Sequence, residues 1–243
     1  MDKILSVKDL KKSYGPFEAV SGISFEVNKG EIFALIGPNG AGKSTTLKVI
    51  TGLLAPSDGT VIVDKMDIAK NMAKIREIIS YLPEDSGAYK NLTGIDYLNF
   101  MAGLYAKSKE ESQKFVEKAK EICGLGEKLQ NKTGTYSKGM TRKLLLARTM
   151  MINPKLAILD EPTSGLDVIN AMEIRQTIKA KAKEGMAVLL SSHNMLEIEF
   201  LSDRVAIIDQ GKIHLIGTPE ELKKKFGVSN LEEVFGKVVK EDK

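Results

Sequence analysis

The chain has 243 residues, 42% of them apolar and 28% charged, with a formal net charge of +4 and no tryptophan. That composition excludes collagen-like, disulfide-framework and disordered classes, and the mild, interspersed charge argues against a nucleic-acid partner. The longest apolar runs, Ile32–Ile36, Leu156–Leu159 and Met186–Leu190, fall far short of the ~20 residues a membrane helix needs. Met1-Asp2-Lys3 leads into a strand-like segment and not into an apolar leader. Ile4–Lys11 and Gly22–Val27 alternate apolar and polar residues, the pattern of half-buried strands. Ile32–Ile36, after Glu31, reads as a strand buried on both faces. A helix is expected over Lys43–Gly52, a turn at Pro56–Gly59 and a short strand over Thr60–Asp64.

From about 84 to 151 the pattern becomes helical. Leu98, Met101, Ala102 and Tyr105 share one helix face; Phe115, Ala119 and Ile122 share the next. Cys123, the single cysteine, is expected to be a buried thiol in a reducing compartment. Strands over Leu156–Leu159, Ala187–Leu190 and Val205–Ile208 then alternate with helices over Val168–Lys183 and Met195–Leu201. His214 falls in a further strand after the turn Gln210-Gly211 and is read as structural. This order predicts an α/β fold: a mostly parallel sheet, an N-terminal antiparallel β subdomain, and a helical subdomain inserted at about 85–150. Residues 1–217 would form the main domain. Residues 218–243 would form a tail of two small helices, able to pack back or to bind a partner. Its run Lys223-Lys224-Lys225 is read as a solvated helix face.

Gly37-Pro38-Asn39-Gly40-Ala41-Gly42-Lys43-Ser44 matches the full P-loop spacing between a buried strand and a helix. Glycines let the main chain approach phosphate oxygens, and the N–H groups at the helix start face the anion. Lys43 would reach the β- and γ-phosphates of ATP. Ser44 would ligate Mg²⁺, and Thr45 is placed to donate to the α-phosphate. The strand Leu156–Leu159 ends in Asp160 and Glu161, which a parallel sheet delivers to its ligand crevice. Asp160 can hold Mg²⁺ through its water shell, and Glu161 can polarise the attacking water. His193 ends another apolar strand; by spacing alone it is either structural or catalytic.

The order of these pieces resembles the ATP-binding subunits of ABC transporters, over about residues 4–217. The resemblance implies that Tyr14 stacks on adenine and that His193 is the switch histidine. It aligns Tyr81-Leu82-Pro83-Glu84 with the segment that usually carries a glutamine. Tyr136-Ser137-Lys138-Gly139-Met140 stands where the signature motif, usually Leu-Ser-Gly-Gly-Gln, is found. Pro162–Asp167 follows as the loop that crosses to a partner subunit. Ser137 can cap the following helix, and Gly139 lets its start approach a phosphate. The Ser-Lys-Gly-Met variant is similar to export subunits for drugs, sodium or like cargo. Glu84 in place of glutamine can still ligate Mg²⁺ but cannot donate a hydrogen bond.

The resemblance further implies a shared site, in which Ser137 and Gly139 of one subunit close over ATP held by the other, in a homodimer or heterodimer. It implies a separate integral membrane permease subunit, with this chain cytoplasmic and peripheral at the membrane. The permease would dock near 84–105; Leu92, Phe100 and Tyr105 are read first as packing within their own lobe. Two other classes stay open: a soluble, non-transport ATPase of the same superfamily, and a nucleotide-binding regulator that does not hydrolyse. The full catalytic set weighs against the regulator.

Overall fold

The computed structural model describes residues 2–241, with the backbone alone for Lys240 and Glu241. Met1, Asp242 and Lys243, the outer ends of the expected units 1–217 and 218–243, lie outside the described residues. Strands β1 (Lys3–Tyr14) and β2 (Phe17–Asn28) form a long antiparallel pair, extending the expected strands to a tight turn at Gly15. With β4 (Asp58–Val63) and β5 (Met66–Asp67) they make a four-stranded sheet in the order β2-β1-β4-β5. The expected turn at Pro56–Gly59 is shorter than read, because β4 already begins at Asp58, which pairs with Lys11.

The second sheet contains β3 (Ile32–Ile36), β6 (Ile79–Leu82), β7 (Leu156–Asp160), β8 (Ala187–Ser192), β9 (Arg204–Asp209) and β10 (Lys212–Gly217). Its order is β10-β9-β3-β8-β7-β6, parallel except for β10. Every residue of β3, β7 and β8 is buried. Period-two alternation divides them between two cores. Phe33, Leu35, Ile158 and Leu189 face the antiparallel sheet and helix α1 (Lys43–Ile50). Ala34, Ile36, Leu159 and Leu190 face the remaining helices.

Those helices are α3 (Gly94–Tyr105), α4 (Lys109–Cys123), α5 (Lys138–Met150), α6 (Val168–Lys183), α7 (Met195–Leu201), α8 (Pro219–Phe226) and α9 (Leu231–Glu241); α2 (Ile68–Ile75) lies on the other side. Helix α4 turns Val116, Ala119 and Cys123 inward, at i, i+3 and i+7, leaving Phe115 and Ile122 only partly buried. The expected face was one step out of phase. Tyr105 is likewise 45% exposed, at the end of α3. Cys123 is buried as expected, and burial pushes its thiol pKa up. The tail packs back: Leu222, Leu231 and Val234 belong to the same core as α7. Leu231 N–H donates to Glu199 of α7, and Lys223 pairs with the same carboxylate. Lys223 is therefore partly engaged, where the sequence suggested only a solvated face.

Register places the site. Ile36 lies beside Ser192 and Ile207, Asp160 beside Ser191, and Leu82 beside Leu159. The segments leaving the carboxyl ends of β3, β6, β7 and β8 therefore emerge together.

Candidate functional site: a phosphate loop facing an acidic corner

Helices α2 to α8 each begin on a side chain that accepts a hydrogen bond from the first turn: Asp67, Thr93, Ser108, Ser137, Asp167, Asn194 and Thr218. Helix α1 does not. Its cap is Gly42, with no side-chain hydrogen bond. A helix start carries unsatisfied N–H groups and the positive end of the dipole, so α1 leaves its first turn open where each of the others has a donor taken by its cap. The loop before it demands glycine on steric grounds. A Cβ at Gly37 would lie 2.0 Å from Ile208 O. One at Gly42, whose φ is +101°, would lie 2.5 Å from Ala19 O. Pro38, Asn39 and Gly40 are exposed at the loop's crest, while Ala41 is buried.

Lys43 is only 6% exposed, and its ammonium donates to Gly37 O at 2.8 Å and Pro38 O at 3.0 Å. Burial lowers its pKa, opposed by the charges of Glu161, Asp160 and Glu84. The ammonium lies 3.8 Å from Glu161 Oε1. Ser44 Oγ donates to Asp160 Oδ1 at 2.9 Å, and Ser191 Oγ donates to the same oxygen at 2.5 Å. Tyr81 OH reaches Asp160 Oδ2 at 3.4 Å; burial and the Asp160 charge raise the phenol pKa. Thr45, next along α1, is half-buried, and the Thr46 hydroxyl returns to Gly42 O.

Glu161 follows at φ +47°, a left-handed conformation that costs a non-glycine residue about 1–2 kcal/mol. Its N–H donates to Ser191 Oγ at 3.1 Å. Oε1 is fully buried and lies 2.9 Å from His193 Nδ1, yet it has no well-aligned hydrogen bond. The oxygen is thus available to accept from another donor. Burial raises the Glu161 pKa; the hydrogen-bonding proximity and charge of His193, then Lys43, lower it. His193 is half exposed and bridges this buried acid to solvent.

The fold thus brings together Gly37–Ser44, Asp160, Glu161 and His193. Glu84 stands nearby and exposed, lining with Glu161, Lys138, Arg142 and Ser164 a cavity of about 300 Å³. Tyr14 is 47% exposed at the hairpin end, with the Lys12 ammonium 5.3 Å from its ring centre; Phe17 beside it is 63% exposed. Ser137 and Gly139 are engaged elsewhere. Ser137 Oγ caps α5 through Met140 N–H at 3.2 Å. A Cβ at Gly139 would meet Asn170 Cγ at 2.4 Å, so its packing on α6 gives that glycine a second cause within the chain. Among the described residues no group of three or more His, Cys, Asp or Glu is placed to hold a metal. The hard oxygens of Ser44 and Asp160 nevertheless suit Mg²⁺, which keeps waters and takes phosphate oxygens as ligands.

Sequence reasoning missed Arg142, Ser191 and the Tyr81 hydroxyl. Ser191 directly follows the run Met186–Leu190, which was read only as apolar strand. Arg142 stands at a charged position of a helix, with no local signal that it is buried.

A family model described as "ABC transporter" matches residues 20–164. The chain belongs to the ABC transporter family. It is 39% identical over 240 residues to the linearmycin resistance ATP-binding protein LnrL of Bacillus subtilis, covering 96% of this chain and 77% of that one. It is 36% identical over 233 residues to the lantibiotic transport ATP-binding protein SrtF of Streptococcus pyogenes, covering 96% of each. A solved structure described as an ATP-binding subunit of an ABC transporter superposes with a TM-score of 0.86 at 29% identity, covering 97% of this chain and 99% of the other. This ATP-binding subunit is accordingly an ATPase with the P-loop α/β fold that the sequence predicted.

Proposed function

We propose that this chain hydrolyses Mg²⁺-ATP to power export through a separate membrane permease subunit, in a site shared between two ATP-binding subunits at the cytoplasmic face of the membrane. The observation that carries the reading is the uncapped start of α1 opposite the buried pair Asp160–Glu161. Phosphates sit against the N–H groups of Gly40–Thr45, and Lys43 leaves the Gly37 and Pro38 carbonyls to meet the β- and γ-phosphates. Ser44 and Asp160 are the residues that would hold Mg²⁺, which when bound neutralises phosphate oxygens. Glu161 accepts a proton from the attacking water, and His193 orients that carboxylate and contacts the γ-phosphate. Glu84 is a further Mg²⁺ contact. Tyr14 stacks on adenine. Ser137 and Gly139 act on the nucleotide of the other subunit.

Export is supported by the Ser-Lys-Gly-Met variant and by the resistance and transport names of LnrL and SrtF. A permease contact is supported by Tyr89, Phe100, Leu104 and Tyr105, all about half exposed or more around α3, while Leu92 packs into the core. Purified chain should release phosphate from ATP, and EDTA should abolish the release. Metal-independent turnover would overturn the Mg²⁺ assignment. Co-purification with a membrane protein separates this reading from a soluble, non-transport ATPase.

The charge environment of Glu161 sets a pH dependence. A base must be ionised, and burial raises this carboxyl above its usual value of about 4.3. The acid limb of kcat/KM, which reports the nucleotide-free chain, should therefore lie above the ordinary carboxylate range. His193→Ala removes the largest opposing influence, so the limb should move to higher pH. An unmoved limb in kcat/KM–pH profiles would show that Glu161 does not titrate as the base.

A further inference from the structure

We propose that Arg142 is a positioning residue for hydrolysis: from the helix that begins at Ser137 and Gly139, it holds the Glu84 segment and the Asp160–Pro162 corner in one arrangement. The proposal rests on the reading of Glu161 as the base. Arg142 is 8% exposed, on the inner side of α5. Its Nε donates to Pro162 O at 2.8 Å. Nη1 donates to Pro83 O at 3.0 Å and Glu84 O at 3.2 Å. Nη2 donates to Asp160 O at 2.8 Å and Glu161 O at 2.6 Å. A guanidinium has five N–H groups in a rigid planar fork. Here each ends on a main-chain carbonyl, and none on a carboxylate.

The acceptors are not scattered through the core. Two belong to the segment leaving β6 and three to the segment leaving β7, which are the two acidic walls of the site. The peptides they fix include both sides of Glu161, whose left-handed backbone decides where its carboxylate points. Arg142 lies little more than one helical turn beyond Ser137. One stiff side chain thus links the start of α5 to the carbonyls that set Glu84 and Glu161. Lysine carries a charge but offers three donors from one nitrogen; glutamine offers two. Neither can hold all five carbonyls at once in a fixed plane.

The test uses full-length Arg142→Gln and Arg142→Lys, with kcat and KM for ATP, equilibrium binding of a fluorescent ATP analogue, and melting temperature. Both variants should lose at least about tenfold in kcat, since displacements near 1 Å cost up to about 10²-fold. KM and nucleotide affinity should stay within about twofold, because the phosphate loop makes no contact with this side chain. Lysine should not rescue. A kcat for Arg142→Gln within about twofold of wild type overturns the proposal. So does rescue by lysine, or a joint loss of nucleotide binding and melting temperature, which would mark a brace for the fold alone. A wild-type chain that releases no phosphate overturns the ATPase reading and this proposal with it. Wild-type hydrolysis with an unaltered variant overturns this proposal alone.

Discussion

Glu161→Gln is expected to lower kcat by about 10²–10⁴-fold, the usual worth of a positioned general base, while ATP binding is kept. The amide has the shape of the carboxyl and can occupy the same space between Lys43 and His193. It lacks the basicity to take a proton from water. Stability should move the other way. Burial raises the pKa of Glu161, so the folded chain binds a proton that the unfolded chain has already released. By linkage, the contribution of this group to stability is present below the unfolded pKa, and is lost as pH rises through the folded one. At neutral pH the ionised carboxyl therefore burdens the fold, and glutamine relieves it. The melting temperature of Glu161→Gln at neutral pH should equal or exceed that of wild type. In ATP the variant should run as a dimer by size-exclusion chromatography, since the bridging γ-phosphate is no longer removed. Near-wild-type phosphate release would end the assignment. A large fall in melting temperature would show that the pairing with Lys43 and His193 outweighs the cost of burying the charge.

Much of this site was legible because its signals are local. The P-loop spacing is a contiguous string, and the buried strands announce themselves as apolar runs. Helix α6 was read to its limits because Asp167 caps it and its length is ordinary. What escaped depends on tertiary neighbours. Strand β6 has four residues, only its two ends are buried, and its place is fixed by pairing with β7. Helix α2 has a non-helical residue, Asn71, in its middle, which interrupts the expected period. The face of α4 was misphased because Phe115 and Ile122 flank a stripe of smaller residues that fits against α5. Arg142 was invisible for a different reason. Its partners are carbonyls, which every residue possesses, so no pattern of side chains betrays it. Gly139 was read for a phosphate alone, whereas Asn170 makes a demand of its own.

The proposed shared site makes a demand that a self-contained one does not. Lys43→Ala removes the ammonium from the loop, and Ser137→Arg puts a bulky cation at the start of α5. Each variant alone should be inactive, because in a symmetric pair both sites carry the defect. Ser137→Arg also loses a helix cap, at a cost of about 1 kcal/mol, so its melting temperature must be measured beside its activity. Mixed in equal amounts, the two should regain activity. Half the dimers are then heterodimers. In each, the intact Lys43 of one copy faces the intact Ser137 of the other, and the second site carries both lesions. With independent sites, recovery should reach about a quarter of wild-type phosphate release. If Ser137 instead acted on the nucleotide of its own chain, every site in the mixture would carry one lesion, and mixing would restore nothing. Activity no higher than either variant alone would therefore argue against a site completed by a second copy of this chain, or for strict coupling of the two sites. The same mixture titrated with excess Lys43→Ala discriminates further. Recovery per Ser137→Arg chain should rise towards saturation, because each such chain supplies the working phosphate loop and needs only one partner to complete it.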